Sequence, residues 1–111
     1  MTPEQLDAQI ELNERKVVSL TQYWKHALPT VEMPNREQFM LWLKMFDFDL
    51  DVVLFGINET VGKCERLGGQ MSLDHATRFA SKCAIRFRKA RRTLDLPATK
   101  FVERESYKVA A

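Results

Sequence analysis

The sequence predicts an all-α protein, one domain built as a bundle of four helices, and three observations carry that prediction. Apolar residues recur at three- and four-residue spacing along most of the chain, and no stretch alternates apolar and polar as a strand does. Only four Gly and four Pro occur in 111 residues, too few turn formers for a turn-dense β-sandwich. A hydrophobic content of 45% beside 29% charged residues of mixed sign argues against intrinsic disorder, and the length suits a single core. The helices are expected at about 3–26, 35–46, 49–67 and 72–94, which makes a bundle domain of 1–95. Residues 96–111 form a C-terminal tail expected to be irregular and partly ordered at most, since the periodicity fades after Pro97.

The first helix starts at Thr2-Pro3-Glu4-Gln5, where Thr2 can cap, Pro3 suits the first helical position and Gln5 completes a capping box. Pro29 and Pro34 frame the linker that follows it. Its seam runs Leu6, Ile10, Asn13, Val17, Leu20, Trp24, Ala27, an unbroken alternation of four- and three-residue steps. That spacing lets a helix pack along a neighbour, either within the chain or in a second copy. The second helix opens at Asn35 with Gln38 three residues on, another capping box. Phe39, Trp42, Leu43 and Phe46 share a face, and Met40, Leu41 and Met45 widen it. A short helix apolar on most sides is expected in the middle of a core; the alternative is a Met- and aromatic-rich partner groove.

Asp49 is the expected cap of the third helix, with Phe48 and Val53 placed as a hydrophobic staple. Leu50, Val53, Leu54, Ile57, Val61 and Cys64 make its stripe, interrupted by Gly56 and Gly62, of which Gly56 would suit a close helix crossing. Gly68-Gly69 ends it, because glycine takes the left-handed conformation at a C-terminal cap. Ser72 starts the fourth helix, with Asp74 favourably placed in its first turn. Here Ala76, Phe79, Cys83, Phe87, Ala90 and Leu94 fall on one arc, the expected core face. Arg78, Lys82, Arg86, Lys89 and Arg92 fall opposite, with Ile85 among them and Arg88 and Arg91 at the edge.

Several chemistries lack their residues. His26 and His75 stand near helix ends with no nucleophile in a recognisable motif, so no enzyme activity is expected. Cys64, His75 and Cys83 do not have the close ligand pairs of a structural zinc site, and both cysteines lie on apolar stripes as small hydrophobes. Asp47, Asp49 and Asp51 alternate like a calcium loop, but Val53 occupies a ligand position and the sixth-position glycine is missing. Leu67-Gly68-Gly69-Gln70 lacks the Lys and Ser/Thr of a phosphate-binding loop. No cofactor is therefore expected. The longest apolar run, Phe39 to Leu43, is far too short for a bilayer, and membrane-surface binding is disfavoured because the apolar face of the last helix is needed for the core. An acidic N-terminus unlike a signal peptide, with only two cysteines, leads to the expectation of a cytoplasmic protein with reduced thiols.

The charge distribution is the informative feature. A net charge of +2 divides into seven basic against eleven acidic residues up to position 71, and ten against four beyond it, or −4 and +6. Lys82 to Arg92 holds six basic residues and no acid. The row from Arg78 to Arg92 spans roughly 20 Å of helix, enough to meet several phosphates of a nucleic acid. The leading expectation is a non-enzymatic helical protein that binds DNA or RNA through Arg78, Lys82, Arg86, Lys89 and Arg92, assisted by Arg88 and Arg91. A small enzyme or ligand carrier with a pocket among Trp24, Trp42 and Phe46 is one alternative, and three more stand beside it. The face is solvated or paired with Glu4, Glu11 and Glu14 of the first helix; it meets an acidic protein; or the chain is an assembly module that forms a homodimer through the first helix, with no nucleic-acid role. A helix-turn-helix arrangement of the last two helices fits less well. The fourth helix is long, and its basic residues lie in the half away from the N-terminus, where recognition helices read bases.

Overall fold

Two capping boxes close where the sequence places them. In the computed structural model, which describes the backbone of residues 1–94 and the side chains of 1–91, the Gln5 amide donates to Thr2 Oγ1 at 3.2 Å and the Thr2 amide to Gln5 Oε1 at 2.9 Å. The same exchange ties Asn35 to Gln38 at 2.7 and 2.8 Å. These caps open α1 (Pro3–Ala27) and α2 (Arg36–Met45). The third and fourth helices are α3 (Leu50–Arg66) and α4 (Leu73–Leu94), and Ser72 Oγ accepts from the His75 amide at 3.0 Å to begin the last. All four boundaries lie within a residue or so of those expected, and the all-α class stands. The expected irregular tail, 96–111, lies outside the described residues.

The two tight turns use the same hydrogen-bond pattern with different residues. After α3, the Gly69 amide donates to the Cys64 carbonyl at 2.9 Å and the Gly68 amide to Glu65 at 3.0 Å. Both glycines have positive φ, which completes a Schellman cap of the anticipated kind. After α2, the Phe48 amide donates to Leu43 at 2.7 Å and the Asp47 amide to Lys44 at 3.2 Å, yet the left-handed residues are Asp47 (φ 56°) and Phe48 (φ 59°). Aspartate tolerates that region; a phenylalanine there costs about 1–2 kcal/mol and must be held by its surroundings.

The core centres on α3, which lies between α1 and α4, while α2 packs on α1 and α3. Val52, Val53, Leu54, Ile57 and Cys64 are buried, as are Leu20, Tyr23 and Trp24 of α1 and Phe39, Trp42, Leu43 and Phe46 around α2. The α3–α4 contact is very close. Ala76, Ala80 and Ala84 are fully buried, and a Cβ added to Gly56 would stand 2.3 Å from the Ala80 carbonyl oxygen.

That closeness turns α4 away from the face the sequence suggests. Hydrophobicity alone centres the buried arc on Phe79, Cys83 and Phe87, but only alanine-sized residues fit against Gly56 and Thr60. The buried stripe is therefore Ala76, Ala80 and Ala84, a rotation of roughly 60°, and Phe79, Cys83 and Phe87 are only half-buried.

Two other expectations change. The short α2 is not surrounded by core: Leu41 is 65% and Met45 58% exposed, although Phe39, Trp42, Leu43 and Phe46 are buried as anticipated. The α1 seam is split as well. Val17, Leu20 and Trp24 enter the core, whereas Leu6 and Ile10 are each 51% exposed on a segment, residues 1–12, that is exposed throughout.

Candidate nucleic-acid interface

The basic residues of α4 separate into two groups with different physical roles. Arg78, Lys82, Arg86 and Lys89 are exposed, at one-turn intervals along the helix. Arg78 pairs with Asp74 at 2.8 Å, but both side chains are more than two-thirds exposed, so the pair is weak and easily exchanged. Glu11 and Glu14 of α1 have partners elsewhere. Glu11 pairs with Arg15 at 2.6 Å within its own helix, and Glu14 holds Arg36 at the start of α2. Arg92 continues the α4 backbone, but its side chain lies outside the described residues.

Arg88 and Arg91 do something else, which the rotation of α4 explains: it swings both toward the α2–α3 turn. Arg91, with only 14% of its side chain exposed, meets Asp49 at 3.0 Å and lies 5.3 Å from the Phe87 ring centre. Arg88 reaches the Met45 carbonyl at 3.4 Å and Asp47 at 3.7 Å, and stands 5.0 Å from the Phe46 ring centre. From the other side, Lys16 of α1 donates to the Phe48 carbonyl at 2.8 Å. Three cations from two helices thus hold the left-handed Asp47-Phe48 turn. This arrangement also gives two of the three alternating aspartates a role, because Asp47 and Asp49 are ion-pair partners of α4. Asp49, the expected α3 cap, makes no side-chain cap hydrogen bond, its Oδ2 being engaged by Arg91.

On either side of the exposed row runs a shallow groove. One, of about 460 Å³, lies between α3 and α4 and is lined by Phe55, Glu59, Phe79, Cys83, Arg86 and Phe87. Phe55 and Phe87 stack there at 4.2 Å between ring centres. The other, of about 230 Å³, lies between α2 and α4 and takes in Leu41, Trp42, Met45, Thr77 and Ser81. The α3–α4 groove was not foreseeable from periodicity, since it follows from the alanine contact that sets the rotation of α4, whereas Leu41, Trp42 and Met45 of the other belong to the helix for which a Met- and aromatic-rich groove was the alternative.

The pKa shift of Cys83 in the α3–α4 groove is opposite to that of an activated thiol. Burial pushes the Cys83 thiol pKa up, Glu59 adds to the rise, and Arg86 and Lys82 offset only part of it. Less thiolate is therefore present at neutral pH than for a free cysteine, and the thiolate is the nucleophile. Alkylation of Cys83 by iodoacetamide, followed by peptide mass mapping, is expected to be slower than for free cysteine at pH 7–8. Its rate should go on rising with pH beyond the point at which that of free cysteine levels off. Among the described residues, no three His, Cys, Asp or Glu side chains come together as a metal site, and no helix is long and apolar enough to cross a membrane.

No protein-family model, curated protein or solved structure matches the chain.

Proposed function

We propose that this chain is a small non-enzymatic helical module that binds nucleic acid through phosphate contacts made by the exposed row of α4, with little sequence preference. One observation carries the reading. Arg78, Lys82, Arg86 and Lys89 stand exposed along one helix, while the acids of the adjoining turn, Asp47 and Asp49, are engaged by Arg88 and Arg91. The phosphate-contacting set is accordingly Arg78, Lys82, Arg86 and Lys89, with Arg88 and Arg91 assigned to the fold. The row extends about 16 Å from Arg78 to Lys89 at 1.5 Å per residue, and duplex DNA carries a charge every 1.7 Å or so along its axis. Several phosphates are then within reach of four cations. Arginine suits bidentate contact with phosphate and also with guanine, while the row holds no Asn or Gln to read adenine.

Binding driven by counterion release falls linearly with the logarithm of salt concentration. The expected slope of log K is about −3 to −4 for four contacts on duplex DNA, and Lys82→Ala should reduce its magnitude by about one. Fluorescence anisotropy with a labelled duplex, titrated at a series of salt concentrations, measures both. A slope near zero, or one unchanged by Lys82→Ala, would contradict the assignment.

A further inference from the structure

The separation of charge along the chain has a second consequence, because the fold does not bring the acidic start of α1 against the basic row of α4. The exposed start of α1 carries Glu4, Asp7 and Glu11, and α4 carries the basic row, yet these helices do not approach each other within one chain. Each also presents unsatisfied apolar surface. On α1, Leu6 and Ile10 form a short line one turn apart, flanked on one side by Asp7 and Glu11. Between α2 and α4, the groove lined by Leu41, Trp42 and Met45 continues over Thr77 and Ser81 to Ile85, itself 49% exposed. Arg78 and Lys82 flank that continuation. Trp42, which lines the groove, keeps a buried indole N–H with no hydrogen-bond partner among the described residues.

We propose that the exposed N-terminal segment of α1 docks into the α2–α4 groove of a second copy of this chain. Leu6 and Ile10 cover Leu41, Met45 and Ile85, while Asp7 and Glu11 face Arg78 and Lys82. The two surfaces match in both respects that matter: each is an apolar line with charge along one flank, and the charges are opposite. The exposed segment is short, about 15 Å for ten helical residues, and belongs with the small, transient interfaces. Self-association is therefore expected on the order of 10–100 μM, and surface charge pairing makes it weaker as salt rises. It requires no nucleic acid, so it stands or falls separately from the phosphate-binding proposal.

Sedimentation equilibrium of the full chain without nucleic acid tests this. At about 50 mM salt the average mass should rise above that of one chain across this concentration range. Asp7→Lys/Glu11→Lys and Arg78→Glu/Lys82→Glu should each weaken association by about ten-fold or more, all four positions being exposed. An equimolar mixture of the two reversed variants should associate again, since it restores opposite charges across the contact. Leu6→Gln/Ile10→Gln should remain monomeric alone and when mixed with Asp7→Lys/Glu11→Lys, but should pair with Arg78→Glu/Lys82→Glu, whose intact α1 meets its intact groove. A wild-type chain that stays monomeric throughout would overturn the proposal. So would association that survives the α1 substitutions, or a mixture of reversed variants that fails to associate.

Discussion

Gly56→Ala is expected to destabilise the protein by about 2–3 kcal/mol, a fall in Tm of roughly 10–20 °C for a domain of this size. On helix propensity alone the same change would stabilise by about 1 kcal/mol. The close approach of α4 reverses the sign. The new methyl would stand 2.3 Å from the Ala80 carbonyl oxygen and 3.2 Å from the Ala84 Cβ. A backbone carbonyl in mid-helix cannot turn aside, so α3 and α4 must separate and loosen the alanine stripe between them. Gly62→Ala is the internal control. There an added Cβ meets only the end of the flexible Arg66 side chain at 3.5 Å, and the propensity gain of about 0.5–1 kcal/mol should appear. Thermal and urea unfolding of the two variants should move in opposite directions. Movement together would mean that α3 and α4 do not touch through Gly56.

Arg91→Ala should cost about 2 kcal/mol and Arg88→Ala about 1 kcal/mol, whereas Lys82→Ala and Arg86→Ala should stay within about 0.5 kcal/mol of wild type. The ordering follows from burial. Arg91 is the most enclosed of the described α4 cations, ion-paired to a half-buried Asp49, so its removal takes away that carboxylate's ion-pair partner and packing from Phe87. Arg88 is held by a longer contact to an exposed Asp47 and by the Phe46 ring. Urea denaturation of the four variants measures the ordering, and the Arg91→Ala/Asp49→Ala double-mutant cycle should give a coupling of about 1 kcal/mol. Equal, negligible effects across all four arginines and lysines would return Arg88 and Arg91 to the surface set.

These two predictions mark where the sequence was legible and where it stopped. The helices and their caps could be read because they depend on residues a few positions apart: Thr2 with Gln5, Asn35 with Gln38, Gly68 and Gly69 after α3. The buried face of α4 could not, because it is set by Gly56, more than twenty residues away in another helix. Ranking α4 residues by hydrophobicity favours Phe79 and Phe87, and only contact with α3 shows that alanine is required at the interface. The contacts of Arg88 and Arg91 with the α2–α3 turn were hidden for the same reason, since a shift of roughly 60° separates an edge cation from one that clamps a turn. Leu41 and Met45 carried an ambiguous signal. Apolar residues all around a short helix describe a buried helix and a half-covered one equally well, and the neighbours decide. For the candidate site, Arg78, Lys82, Arg86 and Lys89 were legible as a row, being four residues of one charge at helical spacing.

The most direct test of the central claim, that this row meets phosphate, is an anisotropy titration of labelled duplex and single-stranded DNA and RNA at about 50 mM salt. It compares wild type with Arg78→Gln/Lys82→Gln/Arg86→Gln/Lys89→Gln, after circular dichroism has established that both are equally folded. The expected result is measurable, salt-sensitive binding by wild type and a loss of about a hundred-fold or more in the neutralised variant. No binding by wild type to any of the four nucleic acids, or equal binding by the two proteins, would contradict it.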